Sequence, residues 1–268
     1  MVKSLLKTPI SYYGGKQTLL KHILPLIPKH TLFTEAFCGG CAVFFAKEPV
    51  ECEVINDMNR ELINFYRIAQ TRYPELKAQL DGTLHSRDEH AHARHINAYP
   101  EFFTEIERAW AVWVCSKMGF ASMLDGTFGY DRSGTTALKL FNAKDSFTEM
   151  LCNRLKKVTI ENGDGIRVIT RYDCETAFHF VDPPYVGSDC GHYAGSFNEE
   201  DFLRLLETLT QIKGKFMLTM FPHEKIREFA DRHKWKIHKI ERTISASKTS
   251  RRRQEEWITT NYDLSHTD

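Results

Sequence analysis

The sequence predicts an α/β protein: a doubly wound, mostly parallel sheet of seven strands, interrupted by a mainly helical insertion. Three observations carry this. Seven short apolar runs of strand type recur along the chain, several of them joined by stretches of helical periodicity. The turns that leave the first strands carry paired glycines or acidic residues, the chemistry of strand ends that face a ligand in open α/β sheets. The alternation is lost between residues 72 and 145 and then resumes. The chain therefore reads as one α/β unit, 1–71 with 146–268, holding an insertion at 72–145.

In chain order, Tyr12-Tyr13-Gly14-Gly15-Lys16 is a tight glycine turn leading into a short amphipathic helix over 17–27. It is not a phosphate-binding loop of the Walker type, which would need glycine at Ile10. It serves either as a plain helix entry or to bring an aromatic and a lysine beside a ligand that carries a carboxylate. Thr31 to Phe37 is the first strand and ends in Glu35-Ala36-Phe37-Cys38-Gly39-Gly40, before a helix that begins near Ala42. Paired glycines there allow close backbone approach to a ligand. The second strand, Cys52 to Ile55, ends at Asn56-Asp57. An acid about 20 residues beyond such a glycine turn is where ribose hydroxyls are bound; the alternative role for Asp57 is to cap the helix that runs from about Asn59 to Gln70.

Within the insertion, helical periodicity covers roughly 87–120, with Trp110, Trp113, Met118 and Phe120 expected on its apolar face. Asp125-Gly126 through Gly134 is rich in turn formers and reads as a hairpin or loop. A helix over 146–156 and a strand at Val158–Glu161 follow, ending at Asn162-Gly163-Asp164-Gly165. Asp164 either accepts from an adenine amino group or shapes the turn. The fourth strand leads into Asp182-Pro183-Pro184-Tyr185, followed by a Gly- and Ser-rich loop, Val186–Phe197, that could close over a substrate. Helix 199–211 opens with Asn198 and Asp201 placed as a variant capping box. The last strands are Phe216–Thr219, Trp235–Ile240 and Trp257–Tyr262. A loop alone joins the final pair, so the terminal strand is expected to be antiparallel.

The fourth strand end carries the chemistry. Proline fixes φ and pushes the preceding residue toward extended backbone, so Asp182 and Pro183 form a stiff corner presenting a carboxylate, a carbonyl and the face of Tyr185. Two acceptors beside an aromatic suit a planar ring with an exocyclic amino group, which can donate to both while stacking on the tyrosine. A capping aspartate before a proline loop is the plainer alternative.

The 268 residues, 42% hydrophobic and 26% charged, describe an ordinary globular chain. A net charge of +1 gives no polyanion signal, but the charge is clustered. Lys3, Lys7, Lys16, Lys21 and Lys29 precede the first acid, and Lys248 with Arg251, Arg252 and Arg253 forms a second patch. Each patch is either a phosphate grip or solvated surface. No apolar run spans a membrane and no leader pattern opens the chain, so a cytoplasmic protein is expected. The seven scattered cysteines read as reduced thiols. Cys38 and Cys41 are a Cys-x-x-Cys pair with no second pair at zinc spacing, and four histidines between His85 and His95 read as a solvated helix face, so no metal is expected.

Tyr12-Tyr13-Gly14-Gly15-Lys16, Glu35 to Gly40, Asn56-Asp57-Met58-Asn59, Asp182-Pro183-Pro184-Tyr185 and Thr260-Asn261-Tyr262 occur in the order seen in Dam-like DNA adenine methyltransferases, and the chain resembles that family at both ends and in the middle, with these motifs leaving mainly 72–145 unassigned. The resemblance implies a Rossmann-like fold and transfer of a methyl group from S-adenosylmethionine to N6 of a flipped-out adenine in double-stranded DNA, leaving S-adenosylhomocysteine. It implies that Tyr12, Lys16, Glu35, Phe37, Gly39, Asp57, Asp164 and Asp182 contact the cofactor, and that Asp182, Pro183 and Tyr185 are catalytic. By the same resemblance 72–145 is the target-recognition segment. Lys117, Arg132, Ser133 and Lys139 are its expected DNA readers, with Arg251, Arg252 and Arg253 on phosphates. A monomer or weak dimer suffices to modify one strand at a time; a restriction endonuclease partner is not deducible. Two departures stand out: Ala36 where many relatives have proline, and Cys41 where they have a third glycine. They leave open a catalytically silent DNA-binding relative. The same corner chemistry would also serve another base, or RNA.

Overall fold

The computed structural model describes residues 6–186, 197–247 and 250–263, with the backbone alone over 242–247 and 250–254. The described residues form one seven-stranded sheet in the order β3-β2-β1-β4-β5-β7-β6. Strands β1 (Leu32–Glu35), β2 (Cys52–Asn56), β3 (Val158–Glu161), β4 (Ala177–Val181) and β5 (Lys215–Met220) are parallel neighbours. Strands β6 (Lys236–Ser247) and β7 (Ser250–Thr260) pair antiparallel, and β7 also runs antiparallel to β5. The expected α/β sheet and its antiparallel terminal strand are thus found.

The central strands are apolar on both sides, as a sheet covered twice requires. Phe33, Ile55, Phe178, Phe180 and Met217 face one layer; Val181, Phe216 and Leu218 face the other. The first layer comprises the short helices α1 (Leu20–Ile23) and α2 (Ala42–Ala46) with α3 (Arg60–Thr71). Behind them lie α4 (Tyr73–Gly82), α5 (Arg87–Ala98), α6 (Glu105–Met118), α7 (Thr135–Ser146) and α8 (Glu149–Leu155). The second layer holds α9 (Gly165–Arg171), α10 (Glu199–Gln211) and α11 (Glu224–His233). Segment 72–145 is docked rather than separate: Trp110, Trp113 and Val114 of α6 share a core with Leu62 and Phe65 of α3. Among the described residues no helix is long and apolar enough to cross a membrane.

Four local expectations are corrected. The helix over 17–27 is broken into α1 flanked by single 3-10 turns, because Pro25 enters the last of them without a donor. The periodicity over 87–120 covers two helices: the chain breaks at Tyr99–Phe103, and Thr104 and Glu107 form a capping box that starts α6. Trp110, Trp113 and Met118 are buried there as expected, but Phe120 lies beyond the helix and is 64% exposed. The loop expected before the final strand is instead a continuation of β6 and β7, paired from Lys236 and Thr260 out to Ser247 and Ser250. Arg251, Arg252 and Arg253 therefore belong to a strand, while their side chains, like Lys248 and loop residues 187–196, lie outside the described residues.

Candidate active site

The carboxyl ends of the parallel strands bring the expected residues to one edge of the sheet. Along the order β3, β2, β1, β4 they carry Asp164, then Asp57, then Phe37 with Gly39, then Asp182. Three interstrand spacings of about 4.8 Å make this arc roughly 14 Å long.

Asn56, at the end of β2, ties the arc together. Its amide donates to the carbonyls of Ala36 (2.8 Å) and Gly163 (2.9 Å) and accepts from Gly163 N–H (3.0 Å). The sequence reading named Asn56 only within the Asn56-Asp57-Met58-Asn59 motif and gave its side chain no role. Asp57 does not cap α3, whose N-cap is Asn59. Its carboxylate accepts from Gly39 N–H and Asn59 N–H, each at 2.9 Å, fixing the glycine loop against the start of the helix. Burial pushes the Asp57 carboxyl upward, against those two hydrogen bonds.

Gly39 has φ +45°, and a Cβ there would stand 3.0 Å from the Tyr12 ring, so the loop closes against Tyr12 only because the residue is glycine. At Gly165 a Cβ would lie 2.7 Å from both the Ala36 carbonyl and the Phe37 ring, so the β3–α9 turn comes this close to the β1 turn only because the residue is glycine. Cys41 follows in the left-handed region at φ 53°, fully buried, where a side chain costs about 1 kcal/mol or more. Asp164 caps α9 through Ile166 N–H (2.9 Å) and pairs with Arg204 at 3.2 Å.

The corner after β4 is more tightly built. Pro183 is buried; Asp182 keeps 16% of its side chain exposed. One Asp182 oxygen accepts from the Thr219 hydroxyl of β5 at 2.8 Å, and the other meets the Lys16 ammonium at 2.7 Å. Lys16 is itself buried, donates to the Gly14 carbonyl at 2.9 Å, and lies 4.9 Å from the centroid of the Tyr185 ring. Tyr185 packs edge-on against Phe221 at 4.4 Å and donates its phenol to Glu256 at 2.7 Å. Burial raises the Asp182 carboxyl, and Lys16 works against that rise. Glu35 sits on neighbouring β1, accepting from Phe44 N–H at 2.7 Å; burial, with Asp182 adding to it, lifts its carboxyl to about 8.

Sequence reasoning missed Thr219 and Glu256. β7 runs antiparallel, so its early residues reach the same edge as the late residues of β1–β5, and Glu256, buried there, follows a charged run in the sequence. The expected DNA readers of the insertion divide into an exposed group and one inward-turned lysine. Arg132, Ser133 and Lys139 are exposed around the start of α7, where Asp131 accepts from Ser133, Thr135 and Thr136. Lys117 instead points inward: it donates to the Ser11 hydroxyl at 3.2 Å, beside Tyr12, and burial lowers its ammonium to about 8. Cys38 and Cys41 are buried in the glycine loop, and no group of three or more His, Cys, Asp or Glu side chains able to hold a metal occurs among the described residues.

A family model described as D12 class N6 adenine-specific DNA methyltransferase matches residues 12–245. The chain is 29% identical to the type II methyltransferase M1.LlaDCHI of Lactococcus lactis subsp. cremoris, over 93% of each chain. It is 28% identical to the type II methyltransferase M.CviBI of Paramecium bursaria Chlorella virus NC1A, over 84% of this chain and 87% of that one. A shorter stretch, 27% of this chain and 11% of the other, is 38% identical to the modification methylase StsI of Streptococcus sanguinis.

Proposed function

The chain belongs to the D12 class N6 adenine-specific DNA methyltransferase family and methylates adenine in DNA site-specifically, and from that premise we propose which residues carry the reaction and which donor they serve. The donor is S-adenosylmethionine, laid along the arc of strand ends with its adenine toward Asp164, its ribose at Asp57 and its methionine portion over Phe37, Gly39 and Tyr12. The residues fit such a group: carboxyls at Asp57 and Asp164 accept hydroxyl and amino donors, and the left-handed Gly39 clears room for backbone approach. When bound, this donor supplies a methyl group already activated by a positively charged sulfur.

The single observation that carries the assignment is the corner at Asp182, set beside that arc with Lys16, Thr219 and Tyr185 converging on it. The target adenine must leave the duplex, at a cost of about a few kcal/mol. Tyr185 offers the stacking face. Asp182 and the Pro183 carbonyl accept from the amino group and hold its nitrogen in place, a positioning effect above all. Segment 72–145 is the target-recognition part. Arg132, Ser133 and Lys139 are its candidate contacts, with Arg251–Arg253 as candidate phosphate ligands whose loss should flatten the salt dependence of DNA binding.

The test is transfer of tritium from methyl-labelled S-adenosylmethionine to unmethylated duplex DNA, with the product nucleoside identified by mass spectrometry. N6-methyladenine is expected. Label on cytosine, on RNA alone, or on nothing would overturn the reading.

A further inference from the structure

Resting on that reading of the corner, Glu256 is the residue that it leaves without a role. Glu256 is fully buried on β7, on the same face as Ile258, and its carboxylate accepts the Tyr185 phenol at 2.7 Å. The Lys16 ammonium lies 3.6 Å from that same Glu256 oxygen and 2.7 Å from Asp182. One cation is therefore held between two carboxylates. It also stands over the Tyr185 ring and against the Asp182 oxygen, which is where the amino group of a stacked base would donate.

A lysine that closed on Asp182 alone would cancel the charge that holds the amino group, and would compete for the same oxygen. A second carboxylate within reach changes both facts. The cluster then sets two carboxylates against one ammonium, and the ammonium has somewhere to go. We propose that Glu256 is a positioning residue for methyl transfer: it fixes the Tyr185 ring through its phenol and shares the Lys16 ammonium, so that Lys16 can yield Asp182 to the incoming amino group. Burial and the nearby Asp182 and Glu256 carboxyls raise the Tyr185 phenol well above the ordinary range, so it stays a donor throughout the working pH range. Phe221 packs edge-on against the Tyr185 ring and Thr219 holds the second Asp182 oxygen, so both groups are held independently of Lys16.

Glu256→Gln keeps an acceptor for the phenol and removes the charge. With both substrates saturating, kcat is expected to fall about 30-fold while the Kd values for S-adenosylmethionine and DNA stay within about twofold. Adding Lys16→Gln removes the cation that the charge served, and the double variant should be at least about fivefold faster than E256Q, whereas a merely structural glutamate would leave it slower. A kcat for E256Q within about threefold of wild type, or a double variant no faster than E256Q, overturns the proposal. Should E256Q not fold, Tyr185→Phe reads the same link: kcat lowered about fivefold with unchanged DNA affinity supports it, and wild-type kcat overturns it. The wild-type chain separates the two levels. If it puts no methyl on adenine, the function assigned above fails; if it does and E256Q matches it, the role of Glu256 alone fails.

Discussion

Two buried charge clusters stand at different places in this sheet, and they are built on opposite balances. In the first, Glu53 on β2 takes Lys47 at 2.6 Å and both terminal nitrogens of Arg154. The two cations are backed by aromatic faces: Lys47 lies 4.5 Å from the Phe33 centroid and Arg154 3.9 Å from that of Phe44. Every charged side chain there is at most 9% exposed. In the second, one cation, Lys16, serves two carboxylates, and Asp182 stays 16% open. The closed cluster is a clamp between β2, α2 and α8. The open one sets two carboxylates against one ammonium at the corner where the proposed mechanism brings the amino donor. Burial of charge alone does not separate a clamp from a reactive centre; the sign of the surplus and the partial exposure of one member do.

Four measurements would break or sharpen this contrast. The largest effect belongs to Asp182→Ala: methylation should fall at least about 10⁴-fold, more than about 5 kcal/mol of transition-state stabilisation. Its melting temperature should stay near that of the parent, since Lys16 keeps Glu256; a comparable loss of fold would make Asp182 a clamp too. Next, Glu53→Gln leaves two buried cations without a carboxylate and should cost about 3 kcal/mol or more in urea unfolding. Its turnover per folded molecule should remain that of the wild type, and a selective loss of kcat would erase the distinction.

Asp57→Ala should weaken S-adenosylmethionine about tenfold by calorimetry, about 1.4 kcal/mol, before it affects DNA affinity; an unchanged Kd removes Asp57 from the cofactor arc. The smallest effect concerns Glu35, whose carboxyl is lifted to about 8 by burial. In the folded chain it retains a proton that the unfolded chain gives up at lower pH. Its contribution to stability is therefore present in acid and lost as pH rises toward 8. Urea midpoints measured between pH 5.5 and 8.5 should decline more in the wild type than in Glu35→Gln, and equal slopes would mean that Glu35 is ionised in the fold.

What could be read from the sequence follows from how local each feature is. The capping box at Asn198 and Asp201 was legible because four adjacent residues specify it, and α10 begins where they say. The strand-end residues were legible because a turn concentrates glycine, proline and acid in a few positions. Lys16 meeting Asp182, 166 positions apart, was not, since no short pattern encodes which strand end a lysine from another turn will reach. Glu256 was hidden for a second reason. Its neighbours Arg253, Gln254 and Glu255 mimic a solvated run, and only the alternation Glu256, Ile258, Thr260 on one side of β7 hints that the acid faces inward. Phe120 misled in the opposite sense, an aromatic in helical phase that falls just past the helix end. Lys117 likewise looked like a surface cation, until α6 docked on α3 and turned it toward Ser11.

The position of β7, between β5 and β6, has a consequence for how the chain matures. Strand β6 has no neighbour until the segment made after it arrives, so this half of the sheet cannot assemble in the order of synthesis. The segment made after β6 also delivers Glu256 to the corner and Asn261 to the amide of Phe216. A polypeptide stopped short of it would keep the motifs as far as Tyr185 but leave β6 without a partner and the corner without Glu256, so the modifying activity should appear only once β7 has been made.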